Sequence, residues 1–293
     1  MLKKSIFITG PVNPGKSTKM LISEAEQVFK TVAYVPVNKI LLKLSDKKAE
    51  MSYEGKDLSK FDYCLPRIDS KRAQHGYHVI KFMDMIDIKK PYSAETILIA
   101  HNKFMTLETL RKADIPIPVT YLIDSIDTAK SVLEKMEYPI VVKIVDSFGG
   151  LGVMMFDDKE TALSAIDMLK SLRQQLIVEE FIKNPGEDIR AFVVGGKIVA
   201  SMKRIAQRDE TRANILLGAK AKYIKITGEM EDIALKAASA SGSDIVAIDM
   251  IESPDGPKVM EININPGIKG IQKAVNINMA KIIIDFVAEE VQK

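Results

Sequence analysis

The residues whose types and spacing point most clearly to chemistry lie near the C-terminus. Between Met260 and Asn265, oxygen-bearing and apolar side chains alternate, so Glu261, Asn263 and Asn265 fall on one face of a predicted strand. A turn centred near position 255 would place Asp249, on the preceding strand, opposite Glu261. Two facing carboxylates repel, and a divalent cation would compensate them. Carboxylate and amide oxygens suit Mg²⁺, although a solvated polar sheet face is the alternative.

A second pattern, a lysine followed by a glycine-rich turn, is typical of a phosphate-binding loop. The apolar strand Ile140–Lys143 ends in a lysine, and Gly149, Gly150 and Gly152 follow it. Glycines let the backbone approach a polyphosphate closely, and the lysine supplies a positive charge. A hairpin loop with a surface lysine is the alternative interpretation.

A third segment, Val178–Ile182, runs from an apolar strand into a linker that contains a Pro-Gly pair. The end of a strand between two lobes offers backbone donors and acceptors to an adenine edge and apolar side chains to its faces. A local basic cluster follows, which is either a solvated charged face or an anion-binding site. Its members are Arg190, Lys203, Arg204, Arg208 and Arg212.

The segment Gly10–Ser17 matches the phosphate-binding pattern G-x-x-x-x-G-K-[ST] and lies between a predicted strand and a predicted helix. Pro11 and Pro14 lack the backbone N–H groups with which such a loop holds phosphate. In addition, no strand of four apolar residues ending in Asp follows early enough to hold magnesium. Three interpretations therefore stay open: a P-loop that uses Lys16, a loop that faces the substrate, and a plain turn between strand and helix.

The elements that must position these residues begin with an α/β pattern. Strands are predicted at Ser5–Thr9, Val32–Val37 and Tyr63–Ile68, with a helix over residues 18–29. These elements predict a small doubly wound domain over residues 1–92.

The rest of the chain is predicted to form two further lobes, over residues 93–177 and 178–293. A proline-rich linker precedes the strands of the first of these lobes, and a Gly-Gly pair predicts a hairpin in the second. The predicted elements are a helix from Ala100, strands at Val119–Ile123 and Tyr138–Lys143, a helix at Ser125–Met136, strands at Arg190–Val194 and Lys197–Met202, a helix at Met230–Ser241, strands at Asp244–Ile251 and Lys258–Ile264, and a closing helix at Ala274–Val291.

Composition excludes several classes of protein. The 293 residues, 46% hydrophobic and 28% charged, are those of a globular chain, not of a disordered or fibrous one. A net charge of +3 argues against a nucleic-acid coat or a polybasic membrane binder. The single cysteine, Cys64, excludes an intrachain disulfide and a thiolate zinc cluster. With no signal peptide and no apolar run of membrane-spanning length, a cytoplasmic location is expected.

Taken in order along nearly the whole chain, these segments resemble the ATP-grasp fold and, within it, the RimK-like α-L-glutamate ligase family. The segments that carry the resemblance are Pro66-Arg67-Ile68, Asn102-Lys103, Ile117-Pro118-Val119-Thr120, Val141-Val142-Lys143, Gly150-Leu151-Gly152-Val153, Glu180-Phe181-Ile182, Asp188-Ile189-Arg190, Arg212-Ala213-Asn214, and Val259 to Asn263 with Pro266-Gly267. The resemblance implies ATP-grasp lobes of mixed α and β structure behind an N-terminal, doubly wound pre-ATP-grasp domain.

It also implies a carboxylate–amine ligase, in which ATP phosphorylates a carboxylate and an amine attacks the acylphosphate. The residues expected to bind ATP are Lys103 and Lys143 at the phosphates, Gly149, Gly150 and Gly152 in the covering loop, Glu179, Glu180, Phe181 and Ile182 around the adenine, and Asp188 at the ribose. The expected ligands of Mg²⁺ (or Mn²⁺) are Asp249, Glu261 and Asn263. The expected catalytic residues are Arg204, Arg212 and Asn214.

The resemblance implies an amino-acid substrate, L-glutamate, and a carboxylate acceptor that is a small molecule or a protein tail. It implies a homodimer or homotetramer and neither nucleic acid nor membrane as a partner. Two segments depart from the family pattern: Gly149-Gly150 replaces Gln-Gly, and Leu216–Ala219 lacks the arginine usual near the substrate. The altered Leu216–Ala219 segment leaves open a regulatory module that binds ATP without ligating. The Gly10–Ser17 segment leaves open a P-loop phosphotransferase or NTPase that uses Lys16.

Overall fold

The computed structural model describes residues 1–147, 152–184, 186–206 and 220–293. Runs of consecutive apolar residues, whose side chains point to alternate faces, build its N-terminal sheet. Strand β1 (Leu2–Gly10) lies in the middle, paired in parallel with β2 (Phe29–Pro36) and β6 (Tyr63–Pro66). Ile6 and Ile8 pack towards helix α1 (Lys16–Val28) on one face, and Phe7 packs on the other. The three predicted strands and the doubly wound pattern are thereby confirmed.

Two further parts of this lobe complete its core. A small antiparallel sheet, β3-β4-β5, occupies the polar stretch between β2 and β6, where no strand was predicted. Helix α2 covers the second face of the parallel sheet. The bounds are β3 Leu41–Leu44, β4 Ala49–Tyr53, β5 Lys56–Asp57 and α2 Ala73–Met85, with single 3₁₀ turns at Val37–Lys39, Leu58–Lys60 and Ser70–Arg72.

Two short helices follow where one helix from Ala100 was predicted. Helix α3 (Ala94–His101) ends before Asn102, and α4 (Lys103–Lys112) begins directly after it. The Asn102 side chain accepts a hydrogen bond from the Met105 N–H at 3.0 Å and so caps α4. Because an N-cap residue has an extended backbone, it interrupts the helical run.

The middle of the chain forms a separate antiparallel sheet with the strand order β7-β10-β8-β9. Its inner face packs against two helices and forms an apolar core of its own, distinct from the two cores of the remaining elements. We call this unit the central lobe. Its elements are β7 Thr120–Ile123, α5 Ile126–Leu133, β8 Ile140–Ile144, β9 Val153–Phe156, α6 Lys159–Ser171 and β10 Leu176–Glu180.

The last part of the chain forms a five-stranded antiparallel sheet with the order β13-β12-β11-β14-β15. Along β14, Val246 and Ile248 pack beneath helix α7, whereas Ile245 and Ala247 face α8 and α9. We call this unit the C-terminal lobe. Its elements are β11 Glu187–Val194, β12 Lys197–Ile205, β13 Lys220–Tyr223, α7 Glu229–Ser241, β14 Ile245–Ser253, β15 Gly256–Asn263, α8 Ile268–Val275 and α9 Met279–Gln292.

The single closing helix predicted over Ala274–Val291 is wrong. Helix α8 ends at Val275, and Asn276 adopts a left-handed backbone with φ of 53°. The Asn278 side chain then caps α9 by accepting a hydrogen bond from the Lys281 N–H at 3.1 Å. Asparagine tolerates the left-handed conformation and is a good N-cap residue, so the Asn-Ile-Asn sequence separates the two helices.

The N-terminal sheet and the C-terminal lobe share both of the larger apolar cores, and α3 and α4 pack into one of these. Strand β10 continues to Glu180 within the central sheet. The division into 1–92, 93–177 and 178–293 stays a prediction. Within the described residues, no helix combines the length and apolar character needed to cross a membrane.

The hairpin between β11 and β12 provides a test of this packing. Gly195 and Gly196 both have positive φ, but a Cβ on Gly195 would lie 2.9 Å from the Phe286 ring, whereas one on Gly196 would meet open space. We expect Gly196→Ala to lower the free energy of unfolding by about 1 kcal/mol through backbone strain alone. Gly195→Ala should cost about 1–3 kcal/mol more because of the clash. Chemical denaturation of both variants measures the difference; equal losses would contradict the packing of α9 on this hairpin.

Candidate active site

A cavity of about 1440 Å³ lies where the N-terminal sheet, the central lobe and the C-terminal lobe meet. Its wall contains most of the site residues predicted from the sequence, brought together from distant parts of the chain. Those in the wall are Lys103, Lys143, Glu179, Glu180, Phe181, Ile182, Asp188, Arg204, Asp249, Glu261 and Asn263. Gly152 lies beside the cavity but not in its wall, and Gly149, Gly150, Arg212, Asn214 and Leu216–Ala219 lie outside the described residues.

Four charged side chains of the site form one network across three strands. Strand register places Asp188 opposite Arg204 and Arg190 opposite Asp249. Arg190 donates two hydrogen bonds to the Asp249 carboxylate, at 2.6 and 2.5 Å. Arg204 donates two to Asp188, both at 2.5 Å, and a third to Asp249 at 3.0 Å. These arginines are therefore buried partners of carboxylates, not members of a solvated charged face.

The network fixes the protonation state of Asp249. Burial raises the pKa of this carboxyl group, but the charges of Arg190 and Arg204 outweigh burial and hold the pKa below its ordinary value. Burial lowers the pKa of Arg204, whereas Asp249 and Asp188 raise it and prevail. The Asp249 carboxylate is therefore ionised at neutral pH.

The predicted pairing of Asp249 with Glu261 is confirmed, since the two residues are direct partners in the β14–β15 ladder. The ladder shifts register immediately beyond this pair, between Asp249 and Met250, as at a β-bulge. The negative charge of Asp249 is compensated differently from the expectation. Two guanidinium groups balance it, whereas a divalent cation alone was expected. Asn263 adds a hydrogen bond from Nδ2 to Asp249 at 3.3 Å.

The donor set at this end of β15 fits a hard divalent cation. Glu261 lies in the cavity wall, and no hydrogen bond or ion pair joins it to another described residue. Beside it are the amide oxygen of Asn263 and the carboxylate of Asp249, so all three side chains offer oxygen. Among the described residues, no group of three or more His, Cys, Asp and Glu side chains is placed to hold a metal ion. Phosphate oxygens or water would therefore supplement the protein ligands.

The two predicted phosphate-binding lysines also line the cavity. Lys143, on β8, forms an ion pair with Glu179 on β10, and the Glu179 side chain is only 1% exposed. Lys103, at the start of α4, donates hydrogen bonds to the carbonyl and hydroxyl oxygens of Ser147. Burial, with a smaller contribution from Lys143, lowers the pKa of Lys103. Two half-buried ammonium groups therefore face one cavity from different elements.

The strand end proposed for adenine also connects two lobes. The Glu180 backbone N–H donates to Val119 O at 2.9 Å, and its side chain accepts hydrogen bonds from Val119 N at 3.1 Å and Lys258 Nζ at 2.5 Å. Phe181 and Ile182 continue along the cavity without regular secondary structure. The segment is therefore a fixed connection whose residues line the cavity.

The N-terminal P-loop-like segment borders the same cavity through Pro11, Gly15, Lys16 and Ser17. Ser17 Oγ accepts a hydrogen bond from the Ile268 N–H at 3.1 Å, which joins the start of α1 to the start of α8. This placement agrees with the interpretation of a loop that faces the substrate.

Sequence reasoning did not assign roles to several residues of the cavity wall, chiefly Arg67, Asp69, His101 and Asn265. Arg67 follows β6 directly at the carboxyl end of a parallel sheet, which is where α/β folds bind ligands. That position was the available signal. His101 precedes the Asn102 cap, and no sequence feature distinguished it from a surface histidine.

The comparisons with known proteins agree with this geometry. A family model of the RimK-like ATP-grasp domain matches residues 100–287, and one of the RimK PreATP-grasp domain matches residues 10–97. A protein named probable alpha-L-glutamate ligase, from Pseudoalteromonas translucida (strain TAC 125), is 33% identical over 273 residues, which cover 92% of this chain and 91% of that protein.

Two solved structures share the fold. The ATP-grasp ligase PsnB, complexed with a phosphomimetic variant of its minimal precursor, Mg and ADP, gives a TM-score of 0.74 at 15% identity over 100% of both chains. A RimK domain protein from Sphaerobacter thermophilus DSM 20745 gives 0.73 at 19% identity over 97% of this chain and 98% of that chain. The protein thus has the ATP-grasp fold. The chain belongs to the RimK-like ATP-grasp family, which makes it an ATP-dependent ligase.

A pH measurement tests the burial of His101. Its Nε2 contacts Ile68 O at 3.1 Å, and burial lowers the pKa of the ring below the usual 6.5. Because protonation costs more in the folded state than in the unfolded state, His101 should reduce stability as the pH falls below about 6.5. His101→Gln keeps a donor for Ile68 O and does not titrate. Its melting temperature should therefore fall less than that of the wild type between about pH 7.5 and about pH 5.5. Parallel curves for the two proteins would show that His101 titrates normally.

Proposed function

We propose that this protein is a Mg-ATP-dependent carboxylate–amine ligase that joins L-glutamate to an acceptor carboxylate through an acylphosphate. One observation carries the proposal: a single cavity is lined both by Lys103 and Lys143 and by the oxygen donors Asp249, Glu261 and Asn263. Phosphoryl transfer needs positioned positive charge for the phosphates and a hard-ligand site. The name of the Pseudoalteromonas relative supports glutamate as the added amino acid.

The reaction has two balanced steps. An acceptor carboxylate oxygen attacks the γ-phosphorus of ATP, and ADP leaves. The amine nitrogen then attacks the acyl carbon, the C–O bond to phosphate breaks, and an amide and inorganic phosphate result. The ammonium group must lose a proton before its attack, and the departing phosphate or a nearby carboxylate accepts it.

The residues of this chain have separable roles in these steps. Lys143 and Lys103 bind and orient the phosphates. Arg204, rigidly held by Asp188 and Asp249, presents its guanidinium to the developing negative charge without reorganisation. Glu180, Phe181 and Ile182 contact the adenine, and Asp188 contacts the ribose. Roles for Gly149, Gly150, Arg212 and Asn214 beside the substrates are part of the proposal.

Glu261, Asn263 and Asp249 would hold Mg²⁺, as the donor chemistry of their side chains indicates. When bound, the ion supplies positive charge that neutralises the phosphoryl oxygens. PsnB was solved with Mg and ADP, which supports the choice of metal. The acceptor, a small molecule or a protein tail, and a homodimeric or homotetrameric assembly complete the proposal.

Lysine variants separate this proposal from a P-loop enzyme. Lys143→Met should weaken binding of Mg-AMPPNP about tenfold or more, because a charge-assisted contact is lost. Lys16→Met should leave nucleotide binding within about twofold, which is within the usual effect of a surface substitution. Calorimetric titration measures both affinities. The reverse pattern would show that the nucleotide binds at the N-terminal loop.

Lys143→Met leaves the buried Glu179 carboxylate without its partner, so the variant could lose nucleotide binding simply by unfolding. The double variant Lys143→Met/Glu179→Gln removes that unpaired charge and should still bind nucleotide weakly. A surface control, Lys130→Met on α5, should match the wild type.

Turnover tests the metal ligand. With Mg-ATP, L-glutamate and a panel of carboxylate acceptors, the wild type should release ADP in an amino-acid-dependent manner. Glu261→Gln should reduce that rate on the order of 100-fold, because metal stabilisation of the transition state is worth several kcal/mol. The matched control is Glu252→Gln, an exposed position on the same hairpin. Normal turnover by Glu261→Gln would remove Glu261 from the metal site. Tight nucleotide binding without amino-acid-dependent ADP release by the wild type would favour a regulatory module instead.

A further inference from the structure

One part of the cavity wall contains an unusual number of unsatisfied polar atoms. Across the ranges that the structure describes, eight buried side-chain nitrogen or oxygen atoms have no hydrogen-bond partner. Four of these belong to Arg67 (Nε), Asp69 (Oδ1), Ser70 (Oγ) and Asn265 (Oδ1), and all four residues line the cavity. Buried polar groups are nearly always paired in folded proteins, so such a cluster beside a cavity is one that a bound ligand or ordered water would complete.

Arg67 is the centre of this cluster. Its side chain is buried, with the residue only 9% exposed, and it forms no ion pair with any described carboxylate. Its Nη2 donates to backbone carbonyls only, to Pro266 O at 3.0 Å and Asn265 O at 3.4 Å. A buried cation without a counter-ion is costly, and an apolar residue of the same size would be more stable there. An anionic ligand would supply the missing charge.

The backbone around Arg67 holds the guanidinium group in place. The Arg67 N–H donates to Thr9 O at 2.6 Å and so extends the parallel sheet. The next carbonyl, Ile68 O, accepts hydrogen bonds from His101 Nε2 and from the side-chain amide of Asn265. Three parts of the chain therefore converge on this turn, which gives a prearranged site and not a mobile surface arginine.

Apart from the Ser70 hydroxyl, which can donate or accept, the remaining unsatisfied atoms are acceptors. One oxygen of Asp69 accepts from Arg72 at 2.5 Å, and the other has no partner. Asn265 donates its amide N–H to Ile68 O, which leaves its amide oxygen as an unpaired acceptor. A cationic donor beside carboxylate and amide acceptors complements a molecule that carries a carboxylate and an ammonium group, which is the α-amino-acid zwitterion.

The position of the cluster agrees with that ligand. Asn265 lies two residues beyond Asn263, so the cluster adjoins the proposed metal ligands at the end of β15, whereas Lys143 lies on a strand of the central lobe. Exposed Lys16 and Lys269 also line the cavity and add positive charge that attracts a second carboxylate.

We propose that Arg67 binds the α-carboxylate of the amino-acid substrate and that Asp69, with Asn265, accepts hydrogen bonds from its ammonium group. The inference rests on the proposed function, because it identifies where the attacking amino acid of that ligase binds. A carboxylate of the acceptor substrate would bind Arg67 in the same way, but it would not require the unpaired hydrogen-bond acceptors of Asp69 and Asn265.

The test measures the melting temperature of the protein saturated with Mg-AMPPNP while L-glutamate, the other L-amino acids and glutarate are added separately. L-Glutamate should stabilise the wild type, and glutarate, which lacks the ammonium group, should do so at concentrations about tenfold higher or more. Arg67→Met should raise the half-saturating concentration of L-glutamate about tenfold or more, with Arg67→Lys intermediate. Asp69→Asn should weaken the binding of L-glutamate and leave the binding of glutarate unchanged.

Two controls keep the test decisive. Arg111→Met, at an exposed arginine on α4, should respond like the wild type. Without amino acid, Arg67→Met should melt no lower than the wild type, because it removes a buried unpaired charge. A loss of ligand response together with an unchanged melting temperature therefore cannot be attributed to unfolding.

Each result decides a separate statement. Unchanged L-glutamate binding by Arg67→Met, or no response of the nucleotide-saturated wild type to any amino acid, overturns the amino-acid site. If glutarate and L-glutamate are equally potent and Asp69→Asn does not change the response to either, Arg67 binds an acceptor carboxylate. That result also overturns the amino-acid site. Absence of Mg-AMPPNP binding by the wild type contradicts the proposed function itself.

Discussion

The buried carboxylate of Asp249 is the constraint on which the rest of the site depends. It accepts hydrogen bonds from Arg190 on β11 and Arg204 on β12, so three neighbouring strands have a single common register. A slip of one residue would turn these side chains to the opposite face and leave buried charges unpaired. Removing one partner of such a group costs about 3–5 kcal/mol, which is comparable to much of the stability of a domain. The sheet is therefore held in the one register that presents Glu261 and Asn263 to the cavity.

The central lobe is joined to this frame by fewer and more polar interactions. Its apolar core is separate, whereas the N-terminal sheet and the C-terminal lobe share theirs. The polar connections include the ion pair of Lys258 with Glu180 and the hydrogen bond from Lys103 N to Val145 O. Lys143 and Lys103 thus belong to, or contact, a unit that is structurally distinct from the unit carrying Glu261 and Asn263.

Local pattern was enough to predict the β14–β15 hairpin and the pairing of Asp249 with Glu261, because strand alternation and turn position fix which residues face each other. The counter-charges of Asp249 could not be predicted in this way. Arg190 and Arg204 are 59 and 45 residues from Asp249 in sequence, and only the strand order brings them together. For the same reason Arg67 was noticed only as part of a motif, since its burial depends on Asn265 and Pro266 at the far end of the chain.

The two ends of the cavity differ in how their positive charges are balanced before any ligand binds. Lys143 is already paired with Glu179, so a phosphate must share that lysine with a carboxylate. A divalent ion at Glu261 and Asn263 would add to the charge that Lys103 already offers there, because Lys103 has no carboxylate partner among the described residues. Arg67 has no such internal partner, and its ligand gains the whole charge without displacing a protein group. At the Lys143 end of the cavity, therefore, the protein itself neutralises part of the positive charge before a ligand binds, whereas at the Arg67 end no described carboxylate does so.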